Sequence, residues 1–97
     1  MARYTKIVKI SESKTDHIYE IYNNSDIVDC YAVLDTTQNN IRIYRDLILK
    51  KLIFDYQEMK KKPDYIWPNQ SLFILALLNL IPALEKGIFP DDLSRCS

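Results

Sequence analysis

Glycine is almost absent from this chain. Its 97 residues hold one, Gly87, together with one histidine, His17, and two cysteines, Cys30 and Cys96. A single glycine excludes dinucleotide fingerprints and Walker loops, which need several to let backbone approach phosphate. Two cysteines and one histidine cannot build a structural zinc site, which takes about four closely spaced ligands. Charge of one sign is also lacking: 13 Lys and Arg balance 13 Asp and Glu. General affinity for polyanions is therefore not expected, because it rests on clustered cations that release counterions. The longest apolar run, Leu72–Leu78, is far below the roughly 18 residues of a membrane span. Met1–Lys6 lacks the apolar segment of a signal peptide, so the expected location is the cytoplasm, with both thiols free.

What is present is apolar residue in quantity, 47% of the chain, enough for one folded core and too much for disorder. The expectation is a single compact domain over residues 1–97 with a short exposed C-terminal tail, roughly 88–97, held by Phe89.

Residues 3 to 46 read as strands and 47 to 87 as helices, an α+β arrangement. Thr5–Ser11 is a short strand. His17–Tyr22 and Ile27–Leu34 are rich in β-branched and aromatic residues around the turn formers Asn23–Asp26, which predicts a hairpin. A loop of two or four residues pairs positions summing to 49, so Tyr19 faces Cys30 and Glu20 faces Asp29. Alternation then puts His17, Tyr19, Ile21, Val28, Cys30, Ala32 and Leu34 on one face, the core. Ile41–Tyr44 adds a further strand, with Ile41 and Ile43 inward. The expected sheet is an antiparallel meander of three to four strands over roughly residues 4–45.

Two helices follow, both packed on the inward face. The first, about 47–62, starts at Asp46 as N-cap and buries Leu49, Leu52, Ile53, Tyr56 and Met59; Lys60, Lys61 and Lys62 offset its dipole and Pro63 stops it. The second, about 70–86, is capped by Asn69 and closed by Gly87, and is kinked or restarted at Pro82. Trp67, in the connector, plugs one end of the core.

The chemical constellations are weak. His17 and Cys30 fall diagonally adjacent in the predicted register, where an imidazole could activate a thiol, but no third group orients them and a buried core thiol is the commoner outcome. Asp26, Asp29, Asp35 and Asp46 match no ion-binding loop and suit turns and caps. Glu20 opposite Asp29 would be a repelling carboxylate pair, with Arg42 on the neighbouring strand to neutralise it. No catalytic residue, metal or cofactor is assigned.

The outward sheet face carries the functional reading. It would display Tyr22, Tyr31 and Tyr44 with Ile18, Ile27 and Val33 among Glu20, Asp29 and Arg42, which is the composition of a protein interface. The leading expectation is a small interaction module: an inhibitor, an immunity or anti-defence factor, or an accessory subunit. Its partner is another protein, bound through those tyrosines, with Glu20, Asp29 and Arg42 setting register. No membrane partner is expected. The first alternative is a nucleic-acid-associated regulator using the lysine-rich helix, which nets +3 over residues 47–62 from five Lys against Asp55 and Glu58. The second is a small Cys/His enzyme. Self-association through Leu72–Leu78 is a further partner expectation, because that run is apolar around its whole circumference.

Overall fold

The computed structural model describes the main chain of residues 4–23, 25–62, 64, 71–93 and 95–96, and the side chains in those ranges other than 4, 5, 71–75, 95 and 96. The elements run β1 (Tyr4–Thr5), β2 (Ile7–Glu12), β3 (Asp16–Tyr22), β4 (Val28–Asp35), β5 (Asn40–Asp46), β6 (Lys51–Asp55), α1 (Tyr56–Lys61), α2 (Ser71–Lys86) and β7 (Arg95–Cys96). Strands β2 to β6 form one antiparallel sheet in sequence order, and β1 pairs with β7 apart from it. The class is α+β, with a sheet of five strands where three to four were expected. The first strand does lie beside the second, with Ile7 opposite Ile21 and Lys9 opposite Tyr19.

The hairpin between β3 and β4 corrects the expected register. Its pairs from Asp16 to Ile21 sum to 51, so Ile21 faces Cys30, Tyr19 faces Ala32 and Glu20 faces Tyr31. The cause is a longer turn. Asn23 Oδ1 accepts the amides of Ser25 and Ile27 at 2.9 and 3.1 Å, Asn23 N donates to the Ile27 carbonyl at 2.8 Å, and Asp26 takes φ +61°. Ile27 is thereby drawn out of the strand and is exposed. A slip of two residues preserves alternation, so the division into faces survives up to Ile21 and Cys30, but the irregularity beyond them sets Val28, expected inward, opposite the outward Tyr22. Tyr19, Ile21, Cys30, Ala32, Leu34, Ile41 and Ile43 are buried; His17 and Val28 are half-buried. The β4–β5 turn has four residues, 36–39, with Asp35 Oδ1 accepting from Thr37 N and Gln38 N.

The expected first helix is the larger correction. Its leading half is not helical: Leu47–Lys50 form a turn and Lys51–Asp55 are β6. Asp46 Oδ1 does accept the amides of Ile48 and Leu49, at 2.9 and 3.0 Å, which is the chemistry of an N-cap used to close a turn. Lys50 then sits at φ +52° and turns the chain back. Strand formation wins because it buries Phe54 opposite Ile43, a side chain whose burial is worth roughly 1.5–3 kcal/mol. The helix starts only at Tyr56. Asp55 caps it by accepting from Glu58 N, and Lys60 and Lys61 lie in its last turn.

Helix α2 supplies the lid of the core. Ala76, Leu77, Leu80, Ala83 and Leu84 are buried with the inward sheet residues, while Leu78 is exposed. The helix passes through Pro82 without restarting. It ends as anticipated at Gly87, φ +68°, where Gly87 N donates to Leu84 O and Ile88 N to Ala83 O, the paired bonds of a Schellman cap. Asn69 and Trp67 lie outside the described residues, as do the side chains of 72–75 in the apolar run.

Beyond the cap, the chain returns along the free edge of β2. Lys9 N donates to Asp91 O at 2.8 Å and Leu93 N to Ile7 O at 2.9 Å. Phe89 and Leu93 pack on the core, whereas Ile88, Pro90, Asp91 and Asp92 are exposed. No described helix is long and apolar enough to cross a membrane.

Candidate protein-interaction face

Pairing across the sheet brings the outward residues into rows. Tyr31 stands between Glu20 and Tyr44, and Tyr44 is followed by Leu52 on β6. A second row runs Ile18, Val33, Arg42, Asp55. Tyr31 and Tyr44 are half-buried and Leu52 is 49% exposed. Tyr22 OH donates to Glu20 Oε1 at 3.0 Å, and that bond, ahead of burial and the nearby charge, holds the phenol above its ordinary pKa. Lys6 Nζ lies 4.4 Å from the Tyr22 ring centre and 3.1 Å from Asp26 Oδ1. Among the described residues, the core takes its helical members from α1 and α2 and includes none of the outward rows.

The expected carboxylate pair does not form. Because the register moves by two, Glu20 meets Tyr31, and Asp29 pairs with Arg45 at 3.0 Å. Arg42, expected to neutralise Glu20 and Asp29, instead bridges Asp35 at 3.1 Å and Asp55 at 3.6 Å, and Nη2 also donates to Gln38 Oε1. The Asp35 carboxyl is held below its usual range by the amides of Gln38 and Thr37 and by Arg42, which outweigh its desolvation. Of the six residues expected to form the site, Tyr22, Glu20, Tyr31 and Tyr44 are therefore adjacent, and Asp29 and Arg42 are engaged in separate ion pairs.

Arg42 borders an open polar hollow of about 310 Å³ between the sheet end and α1, lined also by Gln38, Asn40, Asp55, Gln57 and Lys61. Asn40, 2% exposed, is its structural floor: Oδ1 accepts from Ile41 N and Gln57 N, and Nδ2 donates to Asp55 Oδ1. Sequence reasoning passed over Asn40, although an Asn opening a strand after a turn is a recognisable local acceptor.

His17 and Cys30 are not brought together. His17 faces Leu34, four residues along β4 from Cys30, which is about 13 Å of strand. Cys30 is free and 1% exposed, and burial, followed by the Asp29 charge, pushes its thiol up to about 12. His17 stacks on Phe89 with ring centres 4.0 Å apart, and its Nδ1 lies 3.3 Å from Glu12 Oε2 without hydrogen-bond alignment. Beside it, Lys9 reaches inward to the Phe89 carbonyl and to Glu12, and this cation holds the Glu12 carboxyl below its ordinary pKa. Tyr19 OH donates to Pro90 O at 2.6 Å. This corner fastens the chain after α2 to the sheet.

Of the four aspartates weighed as a metal cluster, three are matched to Lys6, Arg45 and Arg42, and Asp46 holds turn amides. No group of three metal-ligating side chains occurs among the described residues. The lysine-rich surface expected of one helix is divided: Lys50 and Lys51 precede the body of β6, and Lys60–Lys62 follow its far end, about 13 Å of strand apart. Comparison of the chain with protein-family models, with curated proteins and with solved structures finds no significant match.

Proposed function

We propose that the protein is a small interaction module that binds a partner protein through the outward face of its sheet. The observation that carries this reading is the continuous row Glu20, Tyr31, Tyr44, Leu52, set across four strands on the face opposite the helical lid. Aromatic rings on a rigid sheet offer large contact area at little cost in side-chain entropy, and tyrosine adds a hydroxyl for register. The flanking charges are already matched within the chain, so a partner need not desolvate an unpaired ion along most of the row. The function is steric: coverage of the partner's surface, in the manner of an inhibitor or accessory subunit.

The test is affinity capture from the native host with wild type beside a Tyr31→Ala, Tyr44→Ala variant of unchanged circular dichroism. Support consists of one identified protein that, once purified, binds wild type stoichiometrically and the variant at least about tenfold more weakly, the effect of one interfacial anchor. Equal binding by both chains sinks the proposal. Binding to nucleic acid that weakens steeply with salt and depends on Lys60–Lys62 would replace it with the regulatory reading.

A further inference from the structure

The β5–β6 hairpin ends in a projection that the proposed protein interface does not use. Ile48 is 91% exposed and Leu49 64%. Single exposed aliphatics are ordinary, but two adjacent ones at the tip of a turn form a patch that calls for an occupant. The turn is well fastened. Asp46 Oδ1 accepts both tip amides, so its charge is directed into the backbone, and Leu52 N donates to Lys50 O at 3.0 Å.

We propose that this tip is a membrane-contact element, seating Ile48 and Leu49 in the headgroup boundary of an anionic bilayer while Lys50 and Lys51 face the lipid phosphates. Charge complementarity supports the choice of occupant. At this end of the sheet Lys6 is matched to Asp26 and Arg45 to Asp29, whereas the exposed Lys50 and Lys51 make no ion pair among the described residues. With Asp46 counted against Lys50 and Lys51, the tip keeps a net charge of +1 on a chain of zero net charge, and the Asp46 oxygen that holds the turn amides makes no ion pair with either lysine. Composition points the same way. Interfaces between proteins are depleted in lysine, and their hot spots favour Tyr, Trp and Arg over Leu. Exposed aliphatics beside lysines are the pattern of elements that lie at an anionic membrane surface. A second copy of the tip is a poor occupant, because head-on contact would bring four lysines together.

This proposal departs from the expectation of no membrane partner, which was drawn with Leu49 read as part of a buried helical stripe; in the turn Leu49 is exposed. The inference is independent of the tyrosine face, since lipid contact at the tip needs nothing from Tyr31 or Tyr44.

The experiment is co-sedimentation of the full chain with phosphatidylcholine vesicles, with and without phosphatidylserine, at low and high salt. Wild type should partition onto the serine-containing vesicles, weakly and with loss at high salt. Ile48→Ser, Leu49→Ser together should lower the partition coefficient about tenfold or more. Removing both cations in Lys50→Gln, Lys51→Gln should lower it about thirty-fold, and Tyr31→Ala should leave it unchanged. All these sites except Tyr31 are exposed, and circular dichroism confirms folding. Absence of wild-type partitioning overturns the proposal, as does partitioning that the tip variants retain. Loss of a purified protein partner by the Ile48, Leu49 variant, with no vesicle binding by wild type, would assign the tip to a protein interface and also overturn it.

Discussion

Asn40 joins the meander to the helix after it, and its removal is the sharpest test of that junction. Its amide makes three bonds: Oδ1 accepts from Ile41 N at 2.8 Å and from Gln57 N at 2.9 Å, and Nδ2 donates to Asp55 Oδ1 at 3.0 Å. Gln57 is the second residue of α1, so Asn40 satisfies an amide that Asp55, bonded to Glu58, does not reach. Asn40→Ala strands two amides beside a residue only 2% exposed, and each such loss costs about 1–3 kcal/mol. Asp55 keeps Arg42 and the Glu58 amide, so its loss is the smallest of the three. The sum is about 3 kcal/mol, or a fall in melting temperature of roughly 12–24 °C for a domain of this size. Asn40→Asp is the informative companion. It keeps both acceptor bonds but places a carboxylate beside Asp55, which raises a carboxyl pKa in the folded state. A raised folded pKa contributes stability that is present at low pH and lost as pH rises. The Asp variant should therefore be destabilised at neutral pH and regain stability on acidification relative to wild type. Urea unfolding followed by far-ultraviolet circular dichroism measures both. An Asn40→Ala midpoint within about 0.5 kcal/mol of wild type, the range of an ordinary surface substitution, would refute the argument.

Three further outcomes are expected. If residues 47–55 are a hairpin, Leu49→Ala changes stability by less than about 0.5 kcal/mol whereas Phe54→Ala costs about 3–5 kcal/mol in the same urea assay; a buried helical stripe would instead make Leu49→Ala cost about 2–5 kcal/mol. Cys30, with its thiol pushed up to about 12 from 9.0, should resist thiol reagents at pH 8 until the chain unfolds, as read by peptide mapping. Because its folded pKa is raised, the associated stability is fully present well below pH 9 and is lost progressively as pH rises from there toward 12, by on the order of 1 kcal/mol per pH unit, and a Cys30→Ala chain should lack that component of the decline.

The faces of the sheet were legible because alternation depends only on parity. Moving the β3–β4 register from 49 to 51 changed every partner of Tyr19, Glu20 and Ile21, yet left Tyr19, Ile21, Cys30, Ala32 and Leu34 inward. Partner-dependent chemistry was correspondingly illegible: the Glu20/Asp29 repulsion and the His17/Cys30 approach both vanish with a shift of two. What set the register was Asn23, whose side chain accepts two turn amides and lengthens the loop through Ile27. Asn23 was visible as a turn former, but the number of bonds it would make was not.

The stretch 47–55 departed from expectation for a different reason, which bears on the site itself, while 56–61 is helical as expected. Asp46 followed by Leu49, Leu52, Ile53, Tyr56 and Met59 satisfies a capped amphipathic helix, and each local interaction it implies is worth only tenths of a kcal/mol to about 1 kcal/mol. Pairing with β5 offers the burial of Phe54 against Ile43, a gain no exposed helical turn could match, and the Lys50 left-handed turn costs about 1–3 kcal/mol at most. A long-range contact thus decides the element, and a reading of one segment at a time cannot weigh it. The same decision moves Leu52 from core to the end of the tyrosine row and lifts Leu49 into solvent beside Ile48. The residues most consequential for what this protein touches are those whose local pattern and tertiary pairing disagree. Leu49→Ala reports on that disagreement directly, since its stability cost separates a buried helical stripe from an exposed tip.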